Sequence, residues 1–178
     1  MSRKLLDKNL YLIGFMGTGK STAGRKVAEK LRYKFIDSDH EIERIANSSI
    51  PDIFKNYGET YFRNLEKEFI VSGHPEQGCV VSCGGGLVCH NGMIDVLKEK
   101  GVVICLWASV EDILARTSMN QNRPLLNVES PREKIISMIE ARTPFYNQAH
   151  GSLTTEFRTV SEVVQHIVRM YISSIRSR

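Results

Sequence analysis

Leu10-Tyr11-Leu12-Ile13-Gly14-Phe15-Met16-Gly17-Thr18-Gly19-Lys20-Ser21 is the stretch on which the fold turns. Its first part is a short apolar run, and its second part fits G-x-x-x-x-G-K-[ST]. Helical spacing follows at once, through Ala23, Val27, Ala28 and Leu31. A strand that ends in glycines and opens a helix lets backbone N–H groups converge on phosphate oxygens, and the helix N-terminus adds a favourable dipole. Gly17, Thr18, Gly19, Lys20, Ser21 and Thr22 are therefore candidate nucleotide ligands. Lys20 is expected against the β- and γ-phosphates and the Ser21 hydroxyl on Mg²⁺. The plainer alternative is a glycine-rich turn with a surface lysine. The strand before and the helix after it favour a nucleoside triphosphate site.

Outward from this point, strand-like and helix-like stretches alternate without a long linker or a repeat. Tyr33–Ile36, Cys79–Cys83 and Val102–Trp107 read as strands, with a weaker one over Ser152–Thr154. Helical spacing covers parts of His40–Phe69, with breaks expected near Pro51 and Gly58. It returns over Met93–Lys98, Val110–Arg116, Pro131–Tyr146 and Val160–Ile175. Thr117–Glu129 is polar and has no clean period. Strands separated by helices imply a three-layer α/β fold, a parallel sheet with helices on both faces. One domain over 1–178 is expected.

Composition narrows the function classes. Of 178 residues, 42% are hydrophobic and 25% charged, which is ordinary for a globular chain and excludes disorder or a collagen-like repeat. The 24 Lys+Arg against 20 Asp+Glu leave a net charge of +4, too mild to choose a partner. The arginines are spread along the chain rather than clustered, so no nucleic-acid partner is expected. No run approaches the length of a membrane span, and the charged N-terminus lacks a signal peptide's apolar core. A cytoplasmic protein with no membrane partner is expected. Cys79, Cys83, Cys89 and Cys105 form no C-x-x-C pair, and His74 and His90 fall outside zinc spacings. Reduced, partly buried thiols are the expectation.

The chemistry beyond phosphate binding rests on four further clusters. Neither N-K-x-D nor D-x-x-G of a GTPase switch occurs, and no later strand ends in a Walker B acid. The acid that leaves a strand directly lies in Phe35-Ile36-Asp37-Ser38-Asp39. Two carboxylates at a strand's C-terminal edge sit where ligands bind in open α/β sheets. One can hold a metal shell while the other takes a proton from an attacking hydroxyl; either can equally cap the next helix. Gly84-Gly85-Gly86 follows a strand end, as a turn or as a close approach to a ligand. Arg142 stands on the face of Ile135, Met138 and Ile139, where an arginine needs an anion or snorkels at the helix end. Arg63 lies three residues before Glu66, a spacing that also makes a plain surface ion pair. Two guanidinium forks on one carboxylate would account for both arginines.

Taken in order, these motifs resemble the shikimate kinases. The resemblance spans nearly the whole chain and is carried by the phosphate loop and Asp37-Ser38-Asp39. Phe62-Arg63-Asn64-Leu65-Glu66, Gly84-Gly85-Gly86, Arg123-Pro124-Leu125-Leu126 and Arg142-Thr143-Pro144-Phe145-Tyr146 complete it. It implies a P-loop kinase fold with five parallel strands in the order 2-3-1-4-5. The implied reaction moves the γ-phosphoryl of ATP, with Mg²⁺, to the 3-hydroxyl of shikimate. Asp39 is implied as base and hydroxyl contact, Asp37 as a Mg²⁺ ligand through water, and Lys20, Asp39 and Arg123 as the catalytic set. Arg63 and Arg142 would hold the substrate carboxylate, with Gly84, Gly85 and Gly86 lining it and the Gly85 N–H donating. The acceptor region would cover about 38–72 and a lid about 117–129. Arg116 and, in Thr155-Glu156-Phe157-Arg158-Thr159-Val160, Arg158 would contact adenine; the proline common there is absent. ATP and shikimate are the expected partners of a monomer. A kinase for another polyol acid such as gluconate, and a non-enzymatic nucleotide sensor, are the competing readings.

Overall fold

A computed structural model describes residues 8–90, 92–118 and 129–176. Five strands form one sheet: β1 (Asn9–Ile13), β2 (Lys34–Asp37), β3 (Cys79–Ser82), β4 (Gly101–Trp107) and β5 (Gly151–Thr154). Their order is β2-β3-β1-β4-β5, and every neighbouring pair is parallel, as expected. Seven helices are described: α1 (Lys20–Leu31), α2 (Ser38–Ala46), α3 (Ile50–Ser72), α4 (Met93–Lys100), α5 (Val110–Ser118), α6 (Pro131–Tyr146) and α7 (Val160–Arg176). None is both long and apolar enough to cross a membrane.

The alternation of side chains along each strand divides the core in two. Leu10, Leu12, Val102, Ile104 and Leu106 point to one face, where Ala23 and Val27 of α1 and Val163, Ile167 and Tyr171 of α7 cover them. Tyr11, Ile13, Val81, Val103 and Cys105 point to the other, against residues from α2 to α6 such as Ile42, Ile53, Ile70, Leu97 and Ile135. β1 and β3 are buried along their whole length because both faces carry helices.

Two expectations on the helices need correction. Pro51 does not break a helix. It occupies the first turn of α3, where its missing N–H costs nothing, and Ser49 caps that turn by accepting from the Asp52 N–H. The gap falls instead at Asn47–Ser49, with Asn47 left-handed at φ 47°. The expected break at Gly58 is present as a kink inside α3, at φ 79° and ψ 176°, a backbone setting open to glycine. Thr117 also begins no loop, since it is the penultimate residue of α5 and its hydroxyl donates to the Ile113 carbonyl. The cysteines are all free thiols; Cys79, Cys83 and Cys105 are fully buried rather than partly so.

At the N-terminal end of the sheet a hydrogen-bonded chain ties β1 to the segment before β3. Asn9 Oδ1 accepts from the Cys79 N–H at 2.9 Å, and Asn9 Nδ2 donates to the Pro75 carbonyl at 2.8 Å and to Tyr11 Oη at 3.3 Å. His74 Nδ1 lies 2.8 Å from the same carbonyl, an acceptor only, so Nδ1 carries the proton. Nε2, 3.4 Å from Tyr11 Oη, is then the acceptor for the tyrosine proton. Burial, and then the Lys100 charge, hold His74 below its ordinary pKa. A depressed histidine pKa means the unfolded chain binds the extra proton more readily. Stability is therefore full above about 6.5, the unfolded pKa, and falls as pH drops through it. Denaturant midpoints between pH 8 and 5 should fall more steeply for the native chain than for His74→Gln. Equal slopes would show that His74 does not contribute.

Candidate active site

All five strands point the same way, so the loops leaving their C-terminal ends gather at one edge of the sheet. The loop after β1 carries Gly14–Gly19. Gly14, at φ 134°, lies against β4 so closely that a Cβ would stand 2.2 Å from the Leu106 carbonyl oxygen. Gly19, left-handed at φ 88°, precedes α1. Lys20 is nearly buried, and its Nζ donates to the carbonyls of Gly14 at 2.9 Å and Phe15 at 2.8 Å, bridging the loop from within. Thr18 Oγ1 donates to the Phe15 carbonyl at 2.8 Å.

β2 delivers the acid pair, and the structure separates its two members. Asp37 is the helix cap, accepting from the Asp39 N–H at 3.2 Å. Its Oδ2 also accepts from Ser21 Oγ at 2.7 Å, and Ser82 Oγ at the end of β3 lies 3.1 Å from that hydroxyl. Asp39 is two residues further on and faces the glycine triplet. A Cβ on Gly84 would stand 2.5 Å from Asp39 Oδ1 and 3.0 Å from Glu66 Oε1. A side chain there would displace both carboxylates, which is why the position takes glycine.

The two arginines meet the same triplet from opposite elements. Arg63, on α3, packs so that a Cβ on Gly86 would be 2.9 Å from its Nη1. Arg142, on α6, would stand 3.5 Å from a Cβ on Gly85. Arg142 Nη1 donates to the Gly85 carbonyl at 3.2 Å, and its guanidinium lies 5.3 Å from the Phe15 ring centre. It is bound into the site rather than snorkelling at a helix end. Tyr146, one turn on, donates to that carbonyl at 2.6 Å. The Gly84 N–H is taken by Ser38 Oγ at 2.8 Å.

The ion-pair alternative for Arg63 is present, but it is no surface pair. Arg63 Nη1 meets Glu66 Oε2 at 2.7 Å, with Glu66 only 1% exposed, and Arg63 Nη2 meets Glu59 at 2.8 Å. Burial pushes the Glu66 carboxyl up to about 7 against the opposing pull of Arg63, and the neighbouring Asp39 raises it further. Its Oε1 is buried with no hydrogen-bond partner. Sequence reasoning gave Glu66 no role of its own, and it overlooked Ser82 and Tyr146. The i,i+3 step from Arg63 and the i,i+4 step from Arg142 were the available signals.

Arg116, on α5, donates through Nη1 to the Gly17 carbonyl at 3.1 Å and to Thr155 Oγ1 at 3.4 Å. A cavity of about 340 Å³ joins these parts, lined by Gly17, Gly19, Lys20, Ser21 and Thr22, by Asp37 and Asp39, and by Gly85 and Arg116. Arg158 does not line it; it is exposed on the β5–α7 loop, with Nη1 3.4 Å from His166 Nε2. Arg123 and most of the expected lid lie outside the described residues.

A phosphate loop and a strand-borne acid pair line one cavity together with Gly85, and two arginines pack against the glycine triplet to which Gly85 belongs. The family described as "SKI: Shikimate kinase" matches residues 16–172. The chain belongs to the shikimate kinase family. It is 42% identical over 165 residues to the shikimate kinase of Thermoanaerobacter pseudethanolicus, covering 93% of this chain and 96% of that one. A shikimate kinase of Thermus thermophilus is 46% identical over 158 residues, with 88% of this chain and 86% of that one covered. Among solved structures, the shikimate kinase from Acinetobacter baumannii in complex with shikimate superposes with a TM-score of 0.87 at 38% identity, covering 94% of each chain. A gluconokinase from Sinorhizobium meliloti 1021 shares the fold, with a TM-score of 0.58 at 14% identity over 97% of this chain and 95% of that one. Membership of the family makes the chain an ATP-dependent kinase.

Proposed function

We propose that this member of the family transfers the γ-phosphoryl of MgATP to the 3-hydroxyl of shikimate, with the donor held by the β1 loop and the acceptor by β2, α3, the glycine triplet and α6. The observation that carries this division is a single cavity lined by both Lys20 and Asp39. Gly17, Thr18, Gly19, Ser21 and Thr22 bind the phosphates, and Lys20 offsets charge as it shifts toward the leaving oxygen. Such positioning and electrostatics supply most phosphoryl-transfer catalysis.

Asp39 orients the acceptor hydroxyl and takes its proton as the oxygen bonds to phosphorus and the bond to the ADP oxygen breaks. Arg63 and Arg142 hold the substrate carboxylate over the triplet, where the Gly85 N–H donates. Glu66 fixes Arg63 from beneath. Arg116 serves the adenine end, and a lid from the end of α5 to about 129 brings Arg123 to the transferring phosphate and excludes water. The acceptor region spans about 38–72, and the enzyme works as a cytoplasmic monomer.

The hard oxygen donors Ser21 and Asp37, 2.7 Å apart beside Ser82, suit Mg²⁺, which takes few protein ligands beside nucleotide phosphates and water. Ser21 would hold it directly and Asp37 through water. When bound, it neutralises charge on the β- and γ-phosphates.

A coupled ADP-release assay with MgATP tests the proposal, comparing shikimate, gluconate, nucleoside monophosphates and water. Shikimate-dependent turnover is expected, and turnover with gluconate or water alone would overturn the acceptor assignment. Arg142→Ala should weaken shikimate binding by roughly 2 to 5 kcal/mol while ATP binding without shikimate is retained. Calorimetry showing the reverse pattern would refute the division into halves. Arg63→Ala should match it in shikimate binding but also lose stability, since it strands the buried Glu66 carboxylate.

A further inference from the structure

Two donors from α6 converge on one carbonyl of the glycine triplet. The Gly85 oxygen accepts from Tyr146 Oη at 2.6 Å and from Arg142 Nη1 at 3.2 Å. The phenol bond is the shorter, and the ring that makes it is packed in place. Tyr146 is the last residue of α6 and is buried, with its ring edge-on to Trp107 at the end of β4, 5.6 Å between centres. Burial holds the phenol well above its ordinary pKa, and a carbonyl can only accept, so the phenol proton stays in this bond.

Arg142 has a second use that Tyr146 lacks. A guanidinium carries five N–H donors, and its strong partner is a carboxylate rather than a neutral carbonyl. To grip an incoming carboxylate it must loosen its hold on Gly85. A half-buried carbonyl left without a donor is destabilising, so Arg142 can let go only where another donor remains. Tyr146 is that donor. The peptide cannot simply drift instead, because Gly85 is wedged between the two halves of the site. A Cβ on it would stand 3.5 Å from Arg142 Nη1 and from the Gly14 carbonyl oxygen, and 3.4 Å from the Met16 nitrogen.

We propose that Tyr146 is a positioning residue for acceptor binding, holding the Gly85 carbonyl so that the Arg142 guanidinium is free to turn to the acceptor's carboxylate. The inference rests on the reading of Arg142 given above. It adds a role for the buried hydroxyl four residues further along the same helix. Without that hydroxyl, Arg142 becomes the donor on which the carbonyl depends, and an acceptor must compete with the protein's own backbone for it. The effect falls on acceptor affinity and leaves the chemical step and the nucleotide alone.

The test compares the native chain with Tyr146→Phe, which keeps the ring against Trp107 and removes only the hydroxyl. The KM for shikimate should rise about tenfold, the scale of one hydrogen bond. Turnover at saturating shikimate and the KM for ATP should not move. The carboxamide of shikimate, a neutral competitor that offers Arg142 no anion, should inhibit both chains equally. In an Arg142→Ala background, Tyr146→Phe should bring no further loss of shikimate affinity in calorimetry, because no guanidinium is left to trap. A merely structural tyrosine would lose shikimate, its carboxamide and ATP together, or would add its loss to that of Arg142→Ala. Either result overturns the assignment, and so does an unchanged KM for shikimate. A native chain without shikimate-dependent turnover overturns the acceptor reading and this assignment with it, an outcome visible before any variant is made.

Discussion

Lys20→Ala should lower turnover by about 10²–10³-fold or more, the scale for losing one preorganised charge partner of a transition state. The physical basis is placement. Nζ is held by two carbonyls of its own loop, so the ammonium waits inside the phosphate cradle and needs no search to reach it. Lys20→Arg should recover little, because a planar fork cannot occupy the position of a compact ammonium. The measurement is steady-state turnover with saturating shikimate, beside a thermal melt to confirm that each variant is folded. Near-native turnover in a folded Lys20→Ala would remove the donor site from the β1 loop.

Asp39→Asn should cut kcat by about 10²–10⁴-fold, the usual value of a general base, and added Mg²⁺ should not restore it. Asp37→Asn is the internal control. Asp37 contacts Ser21 and caps α2, and asparagine can still cap, so its deficit should be in metal dependence and should shrink as Mg²⁺ rises. The measurement is kcat against Mg²⁺ concentration for both variants at saturating shikimate. Recovery of Asp39→Asn with metal would reassign that carboxylate to the metal shell.

Much of this was legible in the chain because the signals are local. The β1 loop reads from one octapeptide, and Asp37 and Asp39 read from their distance to a strand end. The division of labour between those acids was not legible from their spacing and came only from the resemblance. It depends on the first turn of α2, which turns Asp37 back as a cap and sends Asp39 toward Gly84. Glu66 was hidden for a similar reason. Its spacing from Arg63 describes a surface pair as well as a buried one, and burial comes from the α3 face packing on the triplet. Pro51 misled because the same residue breaks a helix in its interior and starts one at its first turn. The order of the strands came from resemblance, since nothing local states that β1 lies between β3 and β4.

That central placement of β1 governs how the chain reaches its fold. Leu10 pairs on one side with Val80 and on the other with Val102. During synthesis β1 emerges before both its partners, and one edge stays open until β3 has followed and the other until β4 has. Contacts so distant in sequence close loops at an entropic cost before they return any stability, so folding is slow and late. Meanwhile Leu10–Ile13 is a short aggregation-prone segment with free N–H and C=O groups, guarded mainly by the charged residues before it.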